Sequence, residues 1–335
     1  MEKTITLNTK GYDGFIDFIK AYAIICVLIG HTLPPYILDN IGYCIWCGMQ
    51  VPLFILIQVF HCFKKEHATF SIVKVLNRVV YPFLIIESLT FIVAFVFAGT
   101  GFKPLIHTLL TGGGYGPGSY YPWIYLQVAV ILPLVGDVLK KYNKALLFVI
   151  FILVGELFET LFSLINLPSF IYRLLAVRYL FLIYLGWLWV QEGIVINWKT
   201  MILSVISLAA IIYFNYYAIN DEPFFFTTSW KYHRWPCYFF VAYGFIPWLR
   251  LLWKFLNRNV IILRCIKKVA GCSYEIFLVQ MSSIFLFQEN LLSSIGDPLM
   301  QYFVWLTIIW ILSIGGGVML NIMMKKGKIY NVFRK

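Results

Sequence analysis

Apolar and polar positions fall in long blocks along this chain. Apolar runs of about 18–22 residues recur from one end to the other, each enough to carry an α-helix across a hydrocarbon layer of about 30 Å. The runs lie at about 15–36, 42–63, 79–99, 122–139, 145–165, 173–190, 198–218, 236–253, 272–291 and 299–321. They predict an all-α, polytopic membrane bundle of about ten transmembrane helices, with residues 1–335 as a single membrane domain and short polar tails. The first ten residues are polar and end at Lys10, so the first apolar run reads as an uncleaved anchor. Neither an internal repeat nor a matching pair of broken helices is visible in the two halves.

Composition agrees. Of 335 residues 61% are hydrophobic and 13% charged, against about 45–50% and about 25% in an ordinary soluble domain. A net charge of +12 would suggest a nucleic-acid partner in a soluble protein. In a membrane chain it reports orientation, and no nucleic-acid partner is expected. One set of connections holds Lys64, Lys65, Lys74 and Arg78, then Lys140, Lys141 and Lys144, then Lys199, then Arg250 through Lys268, and the tail from Lys325 to Lys335. The alternate set holds only Lys103, Lys231 and Arg234. The basic set marks the cytoplasmic side of a cell membrane and puts both termini there, which requires an even number of spans. The seven cysteines lie in or beside apolar runs. Even Cys44-x-x-Cys47 reads as packing, and no metal site is expected.

An ionisable side chain inside a bilayer is costly and marks a pathway or a site. The first run carries Asp17, Lys20 and His31. Lys20 and His31 are eleven positions apart, about three turns plus 20°, so they share a helix face with a rise of about 16 Å. Asp17 is one turn from Lys20, within pairing distance on a helix surface. Three readings fit: Lys20 snorkels while His31 caps a turn before Pro34-Pro35, the two line a proton route, or His31 takes a proton from a hydroxyl.

A basic residue, ten intervening residues and a histidine on the first span resemble the signature of the acyltransferase 3 family of membrane acyltransferases. Lys20 stands where the family usually has arginine. Gln50-Val-Pro-Leu-Phe54 resembles the opening of the family's second span, although Ile57-Gln58-Val59-Phe60 follows where Ser-Gly is usual. Lys74, Arg78 and Tyr81-Pro82 resemble the basic stretch before the third span, without its two-arginine spacing. The stretch from Pro117 to Trp123 resembles the lead into the fourth span. Gly271-Cys272-Ser273-Tyr274-Glu275-Ile276-Phe277-Leu278-Val279-Gln280 resembles a late segment in which histidine is common at the last position. Gln280 there is expected to bind or orient, because an amide does not titrate. The resemblance runs from about residue 11 to about residue 321.

The resemblance implies an O-acyltransferase, an O-acetyltransferase in many relatives. It would move an acyl group from cytoplasmic acyl-CoA to a hydroxyl of an extracytoplasmic glycan or lipid-linked sugar of the cell envelope. No permanently bound cofactor is implied; acyl-CoA, with acetyl-CoA the first candidate, is the donor substrate. Lys20, Lys74, Arg78 and Arg178 are the expected acyl-CoA contacts, since the donor is a polyanion. His31 is the expected general base, and Glu275 its expected orienting acid. Arg173 and Arg178 also suit an ion pair with Glu87, Glu156, Glu159 or Glu275.

Two outer connections, about 100–121 and about 219–235, are rich in glycine and aromatic residues. The run from Thr111 to Gly118 lacks the Lys-Ser/Thr of a phosphate loop. It reads as a turning loop or as an acceptor-facing lid, with Tyr115, Tyr120, Tyr121 and Trp123 against sugar rings. The stretch Trp230 to Trp235, with His233, suits an acidic glycan or an interfacial aromatic belt. His61, His67 and His107 sit at span ends and read as interfacial. The competing function is a glycan transporter or flippase with Lys20 and His31 along its path.

Overall fold

The computed structural model describes residues 4–5, 14–34, 37, 50–64, 72–97, 99–195, 197–219, 234–287 and 297–326. The described part is built of helices joined by turns and loops, with a two-residue antiparallel pairing of Thr4–Ile5 with Ile194–Val195. Its helices are α1 (Gly14–Thr32), α2 (Gln50–Lys64), α3 (Ile72–Val96), α4 (Phe102–Gly112), α5 (Tyr121–Lys141), α6 (Lys144–Leu164) and the single turn α7 (Ser169–Arg173). After them come α8 (Leu180–Glu192), α9 (Trp198–Ile219), α10 (Arg234–Phe239), α11 (Ile246–Leu256), α12 (Val260–Gly271), α13 (Ser273–Leu286) and α14 (Pro298–Lys326).

Five helices are long and apolar enough to cross a bilayer, α1, α3, α5, α6 and α14, and the bent pair α12–α13 makes a sixth. Their outward faces are greasy. Leu134 is 72% exposed, Leu153 61% and Val96 62%. Rows of bare leucine and valine of this kind need lipid, because water would disfavour them at about 25 cal/mol per Å². The protein is a multi-pass membrane protein.

Three expected spans differ from the sequence reading. The run at 173–190 is broken: α7 ends at Arg173, a 3-10 turn covers Ala176–Tyr179, and α8 begins at Leu180. Gln127 of α5 holds the break open: its Nε2 donates to the Leu174 carbonyl and its Oε1 accepts from the Ala176 N–H. A side chain thus replaces bonds that a continuous helix would make with its own backbone. The run at 236–253 passes through a π turn, Phe240–Phe245, before α11. Another π turn, Leu76–Val80, lies inside α3. Each precedes a proline in the first turn of the next helical stretch, Pro247 and Pro82. Proline has no N–H to continue the i→i−4 ladder, and the backbone widens to accommodate it. The run at 272–291 is preceded by a helix of its own, α12, with a 65° bend between α12 and α13. Leu263, Ile266 and Val269 of α12 pack on the core while Arg264, Lys267 and Lys268 point outward. That amphipathic pattern suits a helix lying along the membrane surface.

The helix ends sort into two groups. Around Lys20 gather the α13 start (Tyr274 hydroxyl to the Val79 carbonyl, 2.7 Å) and the α14 end (Asn321 to Glu275 and to the Gly271 carbonyl). Lys144 and Glu192 close α6 and α8 with an ion pair at 2.5 Å. The opposite end of α1 meets the start of α14, where the Tyr302 hydroxyl donates to the Thr32 carbonyl at 2.6 Å.

Candidate active site

Helix α1 supplies the axis of the site. Its central stretch is sealed in the core, with Ile19, Ala23, Ile24 and Leu28 at 0% exposure. Lys20 and His31 lie on a less covered face, each only partly buried. The helix end at His31 is pinned three times. Thr32 Oγ1 donates to the Leu28 carbonyl, Tyr302 bonds the Thr32 carbonyl, and Trp310 Nε1 donates to Thr32 Oγ1. A histidine one residue away therefore has a fixed backbone.

Its ring is fixed by α13. Gln280, 0% exposed, places Nε2 2.7 Å from His31 Nδ1. Among the described residues no group bonds the other ring nitrogen, and Gln280 Oε1 is buried without a partner. An amide can meet Nδ1 with either end. With NH₂ toward Nδ1, the ring proton stays on Nε2. With the carbonyl turned to Nδ1–H, Nε2 presents a lone pair, as a base requires.

The structure brings Gln280 to His31 and bonds Glu275 to Asn321. Glu275 is buried and accepts from Asn321 Nδ2 at 2.8 Å. Five residues separate it from Gln280, about 140° around the helix, so the two cannot both face His31.

Over the ring lies the glycine run. Gly113, Gly116 and Gly118 have φ of +77°, +84° and +88°. A side chain would not fit: a Cβ on Gly116 would sit 2.2 Å from the Met281 carbonyl oxygen. One on Gly118 would meet Phe277 at 2.9 Å and His31 Cε1 at 3.4 Å. The left-handed φ values and the closeness to the Met281 carbonyl and Phe277 require glycine here, next to the imidazole. Ser119 Oγ donates to the Gly112 carbonyl and Trp123 Nε1 to the Gly113 carbonyl. Tyr115 is buried to 1% exposure and its N–H donates to Glu87 Oε2 at 2.7 Å. Burial pushes the Tyr115 hydroxyl's pKa up, and the Glu87 charge adds to that.

The aromatic residues expected to stack on sugar build the loop's bed. Tyr121 is 7% exposed, with its ring against Phe54, Tyr125 and Phe277. Trp123 meets Phe83 edge to face while bonding Gly113. Tyr120 is partly buried against the same core. The Tyr121 ring is thus covered by its neighbours, while Trp123 stays partly exposed. His233 and the Cys44–Cys47 pair lie outside the described residues.

The cations divide. Arg78 lies within electrostatic reach of Lys20 and of the Tyr121 and Tyr125 hydroxyls, and Asp17 is likewise near Lys20 and Lys267. Lys74 is exposed one turn before Arg78. Arg178 lies on the turn before α8. It is 7% exposed, its guanidinium set over the rings of Tyr179 at 5.0 Å and Tyr172 at 5.6 Å. The Leu174–Ala176 turn before it abuts Gly113, so Arg178 belongs to the His31 end of the bundle. Its expected donor contact thus falls on the broken stretch between α7 and α8. Beside it is a shallow cleft lined by residues including Glu156, Glu159, Arg178, Trp235 and Tyr238.

In this helical membrane bundle an imidazole is held by an amide, lies beside glycine backbone and shares a helix with Lys20. The chain belongs to the acyltransferase 3 family: the family's acyltransferase domain matches residues 13–322, nearly the whole length. No curated protein and no solved structure matches. The protein is thus a membrane acyltransferase.

Proposed function

We propose that this protein is an O-acyltransferase that moves an acyl group, acetyl in the first instance, from cytoplasmic acyl-CoA to a hydroxyl of a cell-envelope glycan or lipid-linked sugar. The observation that carries this reading is His31, oriented by Gln280 through Nδ1, with Nε2 bonded to no described residue and Lys20 on the same helix about 16 Å away. That separation is comparable to the reach of a pantetheine arm. The polyanionic end of the donor is attracted to Lys20, Arg78 and Lys74, and the arm runs along α1 toward the imidazole.

His31 Nε2 takes the proton of the acceptor hydroxyl as its oxygen attacks the thioester carbonyl. The tetrahedral intermediate collapses with cleavage of the C–S bond. The thiolate of CoA leaves and recovers the proton from the imidazolium, so charge and protons balance. The bundle crosses the membrane ten times in this reading. Shorter apolar helices such as α2 and α9 join the five long ones, and the end bearing Lys20, Lys144 and Lys268 faces the cytoplasm.

Donor binding by Lys20 is tested by calorimetry of CoA on purified protein in nanodiscs. Lys20→Ala is expected to weaken CoA about tenfold, the loss of one charged contact of about 1.4 kcal/mol, and Lys20→Arg to restore most of it. Equal affinity in all three proteins would remove Lys20 from donor binding.

A further inference from the structure

Glu87 lies in the apolar body of α3, 4% exposed, where a carboxyl group is costly. Its partners explain its place. Oε2 accepts from the Tyr115 N–H at 2.7 Å, while Oε1 is buried with no hydrogen-bond partner. A half-satisfied buried carboxyl destabilises a fold more than a leucine of similar size would. Packing therefore does not account for it.

What it does hold is the glycine run. A Cβ on Gly114 would sit 2.9 Å from Glu87 Oε1 and 2.8 Å from Phe83, so the backbone is pressed onto the carboxyl group. The run then turns back through Gly116 against the Met281 carbonyl and reaches His31 at Gly118. Tyr115 fills the corner, its ring 5.0 Å from that of Phe285 and 6.4 Å from that of Phe91. Five glycines between Thr111 and Gly118 give the segment little intrinsic stiffness, so its position depends on its ties.

We propose that Glu87 is a positioning residue that clamps the glycine run onto the His31 ring. The run is a removable roof at the acceptor end: clamped, it closes the imidazole off from that side; released, it lets a hydroxyl-bearing acceptor in. This deepens the acyltransferase reading by assigning the acceptor's entrance, and it rests on that reading for the identity of what enters. The clamp itself does not.

Two measurements that need no turnover test it on the full chain in nanodiscs. One is hydrogen exchange of the peptide covering residues 112–120. The other is the rate at which diethyl pyrocarbonate modifies His31, followed by peptide mass. Glu87→Leu, which cannot accept the Tyr115 N–H, is expected to speed exchange of that peptide about tenfold and His31 modification by about fivefold or more, because each rate follows how often the run is open. Glu87→Gln keeps an acceptor oxygen and is expected within about twofold of the parent protein on both. Where Glu87→Leu fails to fold, Glu87→Ala serves instead: it too cannot accept the Tyr115 N–H, and the same increases are expected. Parental rates in the folded Glu87→Leu protein, or in Glu87→Ala if that is the one that folds, would overturn the clamp. Loss of the acyltransferase reading in an activity assay would leave these rates untouched, so the two failures are separable.

Discussion

His31 and Gln280 form the smallest unit that must work for the account to hold. The amide fixes the ring but leaves the choice of tautomer open, which a carboxylate would not. Gln280→Leu is expected to lower kcat about tenfold or more with KM for the donor unchanged, since only the ring's orientation is lost. Gln280→Glu holds Nδ1–H by charge, leaves Nε2 as the base and is expected to retain turnover. A kcat lowered as much by Glu as by Leu would mean that Gln280 does something other than orient the ring. The spacing of Lys20 and His31 was readable in the sequence because both lie on one helix. The role of Gln280 was readable only as an orienting position in a late segment, since its partner is 249 residues away. Glu87 was visible only as a stray acid. Its partner is a backbone N–H, and backbone groups look alike at every position. Glu275 lies on a different face of α13 from Gln280, a relation the helical repeat alone gives.

Among the helices, hydrophobic runs located α1, α3, α5, α6 and α14 to within several residues at each end, because lipid imposes one rule on every span. The breaks were less legible. The 3-10 turn before α8 depends on Gln127 in another helix, and the bend at Cys272 separates two stretches that are each good helix formers. Contact between α13 and α14 shows how closely spans approach. A Cβ on Gly317 would fall 2.5 Å from Ile276 Cα, whereas one on Gly315 would meet nothing within 4 Å. Small residues at such crossings let membrane helices touch backbone to backbone. Gly317→Val is therefore expected to destabilise the protein by about 1–3 kcal/mol, or to prevent folding, and Gly315→Ala to leave thermal unfolding in detergent unchanged. Equal unfolding temperatures for Gly317→Val and the parent would mean that α14 does not approach α13 this closely. Since α13 carries Gln280, the same variant is expected to loosen the His31 contact.

At the scale of the whole molecule, the two ends of the bundle carry different chemistry: cations around Lys20, glycine backbone over His31. Orientation decides which substrate meets which end. In a protein without reactive native thiols, Lys103→Cys on the exposed α4 is expected to react with an impermeant maleimide in intact cells, and Lys268→Cys on the exposed face of α12 only after lysis. The reverse would put the glycine roof in the cytoplasm and make an intracellular acceptor the better reading. Chemistry at His31 is the claim on which the rest depends, and a single measurement addresses it most directly. Purified protein in nanodiscs is mixed with labelled acetyl-CoA and a membrane extract containing envelope glycolipids, and CoA release and label transfer are followed for the parent and for His31→Ala. The account predicts transfer by the parent and a loss of about 10²–10⁴-fold in His31→Ala, the range for removal of a general base, with CoA still bound. Parental turnover in the folded His31→Ala protein would contradict it.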